Sequence, residues 1–319
     1  MSSRPPDQWV LSSDGLRLAV YRDGPTSGPT VLAVHGYPDN ASVWDGVSAL
    51  LADRFQVVRY DVRGAGASDR PPDRERYRLD YLVADLEAVC AATSPSAPVH
   101  LLAHDWGSIQ AWAAISDHRL AGRIASFTSI SGPCLAQVRP WLAASLRRRR
   151  FGRVGRQLLH SYYLVGFQLP LLPELLWRSR LVDRILDRTD RREGVAGAGS
   201  ASYRRALADK VNGLQLYRAN LFGRGSGRAA SAGGSGAGRS RTGSLTTEVP
   251  VQVLAPKSDP FVTQALQLQA PVPYTKSLYR RPVPGGHWLP VTNPGLVAQA
   301  CTELVELVEF GRPAAGLVS

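Results

Sequence analysis

Cysteine, lysine and long apolar runs are all scarce in this chain of 319 residues. The three cysteines, Cys90, Cys134 and Cys301, are widely spaced and odd in number. They therefore predict neither a disulfide framework nor a metal cluster, and they favour a reducing compartment such as the cytoplasm. No apolar run reaches the roughly 18 residues of a spanning helix, and residues 1–10 lack the apolar segment of a signal peptide.

The positive charge comes almost entirely from arginine. Only three of the 38 basic side chains are lysines, and the formal net charge is +12. Residues 139–192 contain 13 arginines against four acidic residues, a pattern typical of a solvated basic face. If this face binds a partner, an anionic membrane surface or an acidic substrate fits better than nucleic acid, because no nucleic-acid-binding motif accompanies it. The sequence leaves the oligomeric state open.

Strand and helix patterns alternate through the first 130 residues and again near the end. Strand patterns cover residues 16–22, 30–34, 55–60, 99–103, 124–130, 251–255 and 275–280. Helix patterns cover residues 43–51, 79–92, 109–115 and 294–310. This alternation predicts an α/β fold, with a mostly parallel sheet and helices on both of its faces.

The segment 134–222 interrupts this alternation, because it is helical in pattern, rich in arginine and poor in strands. A helical insertion late in such a sheet predicts a lid over the carboxyl ends of the strands, where ligands bind. Residues 223–244 contain eight glycines, five serines and no acidic residue, which predicts a flexible tether. The predicted organisation is therefore a core in residues 1–133 and 246–319, a lid in 134–222 and a tether in 223–245.

The most informative motif lies where the strand pattern 99–103 runs into residues 104–107 and then into a helix pattern. The small residues Ala103 and Gly107 suit a sharp strand-to-helix turn, the nucleophile elbow, which exposes its central side chain. That central residue is Asp105 rather than serine. A carboxylate is already ionised and can displace a leaving group at saturated carbon, giving an alkyl-enzyme ester. Asp105 is therefore the predicted nucleophile.

Three further segments follow predicted strands and supply the remaining groups. Residues 35–38 aim the amide of Tyr37 into the site, where it forms an oxyanion hole with the amide of Trp106. Two glycines ahead of His287 present its ring as the base, and Asp259 orients that ring and stabilises its charge. Each segment also has a structural explanation, namely a tight turn at 35–38 and a turn or helix cap at Asp259.

Together these motifs resemble the α/β hydrolases, and among them the epoxide hydrolase branch, over residues 8–310. Residues 61–69 resemble the structural turn of that family rather than a nucleotide loop. The resemblance implies hydrolysis of a small apolar epoxide to a vicinal diol, with no cofactor and no metal. It also implies structural hydrogen bonds for His35 and His104. Some relatives carry the acid at the position of Ser131, which leaves Asp259 as the candidate here.

The resemblance further implies that two lid tyrosines hold and protonate the epoxide oxygen. Tyr217 matches the second of them, and Tyr163 matches the first when residues 167–168 are aligned, although Tyr162 competes for that role. The apolar residues expected to contact substrate are Trp106, Phe167 and Trp288. Tyrosines packed inside the lid would be the structural alternative.

Two other functions fit part of the pattern. A haloalkane dehalogenase shares the aspartate, the histidine and Trp106, but needs two halide donors, one of them often an asparagine at the position of Tyr37. A hydrolase fold retained as a lipid-binding or membrane-binding module is the non-catalytic alternative. Close relatives are sometimes fused to a short-chain dehydrogenase; no such pattern occurs here, and we expect no coupled redox role.

Overall fold

The computed structural model describes residues 4–179, 181–195, 205–221, 245–313 and 316–317. Eight strands form a single sheet in the order β1-β2-β4-β3-β5-β6-β7-β8. They are β1 (Gln8–Leu11), β2 (Arg17–Asp23), β3 (Thr30–Val34), β4 (Gln56–Tyr60), β5 (Val99–His104), β6 (Ile124–Ile130), β7 (Val251–Pro256) and β8 (Leu278–Val283). Pairing is antiparallel for β1–β2 and β2–β4 and parallel from β4 to β8. The predicted α/β fold with a mostly parallel sheet is thereby confirmed.

Twelve α-helices surround this sheet in the part of the chain that the structure describes. Those of the core are α1 (Asp45–Leu51), α2 (Leu79–Thr93), α3 (Trp106–Ala114), α10 (Gln264–Gln269), α11 (Leu289–Thr292) and α12 (Pro294–Phe310). The inserted segment contributes α4 (Leu135–Arg147), α5 (Phe151–His160), α6 (Tyr162–Gly166), α7 (Leu172–Arg178), α8 (Leu181–Glu193) and α9 (Leu207–Asn220). We refer to α4–α9 as the lid; the division of the chain into separate domains stays a prediction.

The predicted elements agree with the observed ones, with a few differences at strand ends and in short pieces. β8 begins at Leu278, because Thr275 forms only an isolated bridge with Thr247. β1 was not predicted, since its four residues at the sheet edge are too few to show a period. The short helices α10 and α11 were missed for the same reason. The predicted tether lies outside the described residues except for Leu245.

The central strands are buried, and the lid covers the edge of the sheet at which their carboxyl ends lie. β3, β4, β5 and β7 are buried along their whole length, as expected for parallel strands covered on both faces. Two clusters of buried apolar side chains lie against this sheet, and the larger one also contains lid residues such as Trp177 and Tyr217. The lid therefore packs onto the core next to the carboxyl ends of β3, β5 and β7.

Candidate active site

Asp105 occupies the tight turn between β5 and α3. Its backbone is strained, with φ 52° and ψ −121°, a combination that a non-glycine residue rarely adopts. The next turn of α3 approaches β3 so closely that a Cβ on Gly107 would lie 2.2 Å from the carbonyl oxygen of Val34. This is the close approach for which a small residue was predicted. The turn holds the Asp105 side chain at the end of the strand.

Two backbone amides hydrogen-bond the Asp105 carboxylate. The N–H of Tyr37 donates to Oδ1 at 2.7 Å, and the N–H of Trp106 also hydrogen-bonds the carboxylate. Gly36 is required for this approach, because a Cβ there would lie 2.4 Å from Oδ1. The two amides predicted to form an oxyanion hole therefore both reach this carboxylate. Oδ2 faces His287 instead, at 3.7 Å from its Nε2.

Burial dominates the electrostatics of Asp105, whose residue is only 7% exposed. It raises the pKa of the carboxyl to about 6, against the opposing effects of His287 and of the two amides. The negative charge of Asp39 raises the pKa further. The carboxylate is thus ionised near neutral pH but poorly solvated, which is a favourable state for a nucleophile.

His287 lies between the two aspartates. Its Nδ1 is 3.2 Å from Oδ1 and 3.3 Å from Oδ2 of Asp259, while its Nε2 points towards Asp105. Proton donation from Nδ1 to Asp259 leaves the lone pair of Nε2 available as a base. The 3.7 Å gap on the Asp105 side is longer than a hydrogen bond. The structure thus brings together the three residues predicted as nucleophile, base and acid.

Asp259 is held ionised despite complete burial of its side chain. Burial raises its pKa, but the charge of His287 and hydrogen bonds with His287 and the Phe261 amide outweigh it, so that the pKa lies below its usual value. The amides of Phe261 and Val262 donate to Oδ1 at 2.9 and 3.1 Å. The turn proposed as the structural explanation is therefore present, and it serves to fix the carboxylate beside the histidine.

The other two histidines near the site have structural contacts. His35 accepts from the amide of Val62 at 2.8 Å through Nε2. Nε2 of His104 lies 2.9 Å from the carbonyl oxygen of His287, and burial lowers the pKa of His104 to about 3. A neutral His104 can donate to that carbonyl and so fix the backbone of the base. Both agree with the hydrogen-bonding roles expected for them.

The lid brings two tyrosines over the Asp105 carboxylate. The rings of Tyr163 and Tyr217 are 6.1 Å apart and nearly perpendicular. Burial raises the pKa of Tyr163 and Tyr217 well above the usual value, and the negative charge of Asp105 raises both further. Tyr162, by contrast, is 77% exposed. Tyr163, and not the exposed Tyr162, therefore packs among the rings of the site, and its role as the first lid tyrosine stays a prediction.

Aromatic rings from core and lid form a cluster around these tyrosines. Phe167 packs edge-on against Tyr37, Tyr163 and Tyr217, with centroid distances of 5.0 to 5.8 Å. The ring of Trp106 lies 5.0 Å from that of Tyr217. Both residues are placed as expected for apolar contacts with a substrate at Asp105, and that role stays a prediction.

Trp288 packs beside the base, with its ring 5.0 Å from that of His287, and its contact with substrate stays a prediction. Its indole N–H donates to Oδ2 of Asp39 at 3.2 Å, and the guanidinium of Arg205 stands 4.3 Å above its ring. Arg205 Nε in turn donates to Asp39 Oδ1 at 3.0 Å, and its Nη1 donates to Asp190 at 2.7 Å. This buried ion-pair junction joins the lid to the core beside His287. Sequence reasoning missed it, because its members are up to 249 residues apart.

Phe261 is a further residue that the sequence did not indicate. Its ring lies 4.8 Å from that of His287 and 5.4 Å from that of Tyr163. It therefore shields the base from solvent on the side of the lid. Its position directly after Asp259-Pro260 is the one signal that would have pointed to it.

The comparison with known families agrees with this geometry. Residues 29–294 match the family described as alpha/beta hydrolase fold. The chain therefore belongs to the α/β hydrolase fold family. The sheet order, the strained turn at Asp105 and the position of the lid are the features expected of a member.

Individual relatives are named for two activities. The chain is 35% identical to "Probable oxidoreductase EphD" of Mycobacterium bovis over 316 residues, which are 97% of this chain and 51% of that protein. It is 34% identical to "Epoxide hydrolase A" of Mycobacterium tuberculosis over 168 residues, 52% of this chain and 48% of that protein. The chain thus spans about half the length of these curated relatives.

Solved structures show the same fold at lower identity. The crystal structure of an epoxide hydrolase from Bacillus megaterium with a bound inhibitor superimposes with a TM-score of 0.74 and 20% identity. The match covers 94% of this chain and 100% of that one. At this identity the similarity supports the fold and not the reaction.

Proposed function

We propose that this protein is an epoxide hydrolase, which opens an apolar epoxide to a vicinal diol through an ester on Asp105. The observation that carries the proposal is the pairing of a carboxylate nucleophile with the phenols of Tyr163 and Tyr217, both near enough to Asp105 for its charge to raise their pKa. A strained ether oxygen needs such donors, because it leaves as a basic alkoxide. The relative named Epoxide hydrolase A supports the same assignment, and the Bacillus megaterium structure supports the fold on which it rests.

In the first half-reaction, Oδ2 of Asp105 attacks a ring carbon and the bond from that carbon to the epoxide oxygen breaks. The oxygen takes a proton from one of the two phenols, Tyr163 or Tyr217, which becomes a tyrosinate, while the other phenol donates a hydrogen bond. Oδ1 keeps its hydrogen bond from the Tyr37 amide, and the Trp106 amide also holds the carboxylate for in-line attack. The product of this step is a hydroxyalkyl ester of Asp105.

In the second half-reaction, Nε2 of His287 takes a proton from water, and the hydroxide oxygen attacks Cγ of the ester. Negative charge develops on the ester carbonyl oxygen, where the amides of Tyr37 and Trp106 stabilise it. Asp259 stabilises the imidazolium that forms. The bond between Cγ and the former Oδ2 then breaks, so that this oxygen leaves in the diol with the proton from His287. The carboxyl group of Asp105 now contains the water oxygen. It returns its proton to the lid tyrosinate, and the Asp105 carboxylate is restored.

A substrate comparison tests the assignment. We expect turnover of styrene oxide and none of 1-bromobutane. A dehalogenase needs two donors for its halide, whereas here the hydroxyl of Tyr37 donates to the carbonyl of Lys210 at 2.9 Å and the Trp106 side chain interacts with Tyr217. Bromide release at a rate equal to or above diol formation would favour the dehalogenase instead.

The lid tyrosines offer a matched comparison. Tyr163→Phe and Tyr217→Phe each remove one proton donor, and we expect kcat/KM for an epoxide to fall by about 10²- to 10⁴-fold. Tyr162→Phe, on the exposed face of the same helix, is expected to leave kcat/KM unchanged. If Tyr162→Phe showed the loss and Tyr163→Phe did not, the assignment of the first tyrosine would be wrong.

The raised pKa of Asp105 predicts a pH dependence. Only the ionised carboxylate attacks, so the rate of ester formation should rise about tenfold per pH unit at low pH and level off above pH about 6. Single-turnover kinetics between pH 4 and pH 8 measure this rate, provided that ester formation is followed rather than product release. A profile that levels off near the usual aspartate pKa of about 4 would contradict the burial argument.

The partners and the location follow only in part. Among the described residues, none of the helices has the length and apolar character needed to cross a bilayer. A location in the cytoplasm, an apolar epoxide as substrate and a peripheral contact of the basic lid with membranes belong to the proposal. The name oxidoreductase describes a relative about twice as long as the matched region, and that region carries the α/β hydrolase fold.

A further inference from the structure

Exposed apolar side chains are concentrated on one part of the lid. Among the described residues, nineteen large apolar side chains are exposed, and twelve of these lie between residues 146 and 185. Seven of the twelve are 59–77% exposed, and six of these seven precede α7, namely Phe151, Leu158, Leu159, Tyr162, Val165 and Leu171. We call these six, with the run Arg147–Arg150, the outer lid face. A monomeric soluble protein rarely leaves so many large apolar groups together in water.

The exposed apolar residues of helix α5 lie on one face of the helix. Phe151, Leu158 and Leu159 are separated by seven and eight residues, so they lie on one face of the helix. The buried Gln157 lies on the far side of the helix, and the buried Val154 lies at the edge of the exposed face, next to Phe151 and Leu158. The helix therefore turns an apolar face towards solvent. α5 also contacts α6, which carries the exposed Tyr162 and Val165.

Cations flank this apolar surface. Arg147, Arg148, Arg149 and Arg150 are all exposed, and within the part of the chain that the structure describes none of them lies within 4.0 Å of an acidic group. Arg156 is exposed between the apolar positions of α5. The lid carboxylate of Glu174 is paired with Arg218. The surface thus combines unneutralised positive charge with protruding apolar groups.

From this combination we propose that the outer lid face docks on an anionic phospholipid bilayer. The guanidinium groups would lie among the headgroup phosphates, and the side chains of α5 and α6 would enter the boundary with the acyl chains. A second copy of the chain fits less well, because a symmetric contact would bring two arginine runs together. Nucleic acid would satisfy the arginines but not the exposed leucines.

Vesicle binding by the full chain tests the proposal without reference to turnover, so its result is independent of the proposed reaction. The probes are vesicles of phosphatidylcholine alone and vesicles with about 30% phosphatidylglycerol, at low salt. We expect co-sedimentation with the anionic vesicles only. Absence of binding to anionic vesicles, or equal binding to both kinds, would overturn the proposal.

Two variants separate the charged and apolar contributions. Changing Arg147–Arg150 to glutamine should weaken binding by on the order of several hundred-fold, at about fivefold per arginine. Changing Leu158 and Leu159 to serine should weaken it by at least about tenfold. The matched control removes the same charge elsewhere, by changing four exposed residues to glutamine: Arg74, Lys276, Arg280 and Arg312.

The control variant should bind as the parent does, and unchanged unfolding midpoints should show that all three variants are folded. Equal loss in the control and in the Arg147–Arg150 variant would mean that net charge, not this face, is responsible. Sedimentation velocity without vesicles tests whether a second copy of the chain binds the outer lid face instead. A dimer that the Leu158 and Leu159 changes convert to monomer, with no vesicle binding by the parent, would assign the face to self-association and overturn the proposal.

Discussion

Replacing Asp105 with alanine is expected to lower epoxide turnover by at least about 10⁴-fold, because no other group in the site can form the ester. The variant keeps the amides of Tyr37 and Trp106, the base His287 and the lid tyrosines. It therefore tests the covalent step itself rather than substrate binding. Asp187→Ala, which removes an exposed lid carboxylate, is the matched control and should retain full turnover.

The oxygen source separates the covalent route from direct attack by water. In a single turnover of the parent protein in heavy-oxygen water, the water attacks Cγ of the ester, so the label should appear in the Asp105 side chain. Direct attack on the epoxide would place the label in the diol during that first turnover. Label confined to the diol, or an Asp105→Ala protein as active as its parent, would end the proposed mechanism.

Asp105→Ala is also expected to stabilise the folded protein. Burial gives Asp105 a folded-state pKa of about 6, above the usual value of 3.8. The folded state then binds the proton more tightly than the unfolded state, so the stability contribution of this group is lost as pH rises from about 4 to about 6. Asp105→Ala should therefore raise the free energy of unfolding at pH 8 by up to about 3 kcal/mol. Thermal unfolding at pH 4 should show a smaller difference.

Replacing His287 with glutamine should stop the reaction at the ester. Asp105 still attacks, but no base activates the water, and the loss in turnover is again expected to reach about 10⁴-fold or more. Intact mass measurement should show an adduct equal to the whole epoxide, since ring opening expels no atom. An adduct lighter by hydrogen bromide, from 1-bromobutane, would instead indicate dehalogenation.

The matched control for this variant is His118→Gln, because the His118 side chain is 94% exposed and remote in function. It should turn over like the parent and show no adduct. A His287→Gln protein that remained unmodified during steady turnover would remove His287 from the base role. An adduct on a residue other than Asp105, located by peptide mapping, would move the nucleophile elsewhere.

The residues of the reacting centre were predictable from sequence because each follows directly on a strand. Asp105, His287 and Asp259 lie in local patterns of strand, turn and small residues, and the parallel sheet brings the ends of its strands to one edge. At the ends of parallel strands, the local sequence pattern is therefore enough to predict that these residues lie close together. The mostly parallel sheet was predictable because strand and helix patterns alternate along the core.

The lid was less predictable because its residues are positioned by packing rather than by pattern. α6 has five residues, too few to reveal which of Tyr162 and Tyr163 faces inward. The contacts of Trp288 with Arg205 and Asp39 were not predicted either, and the substrate contact expected of it stays a prediction. No spacing in the sequence relates partners that far apart.

Lid residues differ in how costly they are to replace when the substrate range is to be altered. Arg205 is 8% exposed and bridges Asp39 and Asp190, so its replacement would strand buried charge and cost about 3–5 kcal/mol. Phe167 sits among other rings in contacts that tolerate changes of shape at lower cost. Saturation mutagenesis is therefore best directed at Phe167 and its neighbours, while Arg205 is kept unchanged.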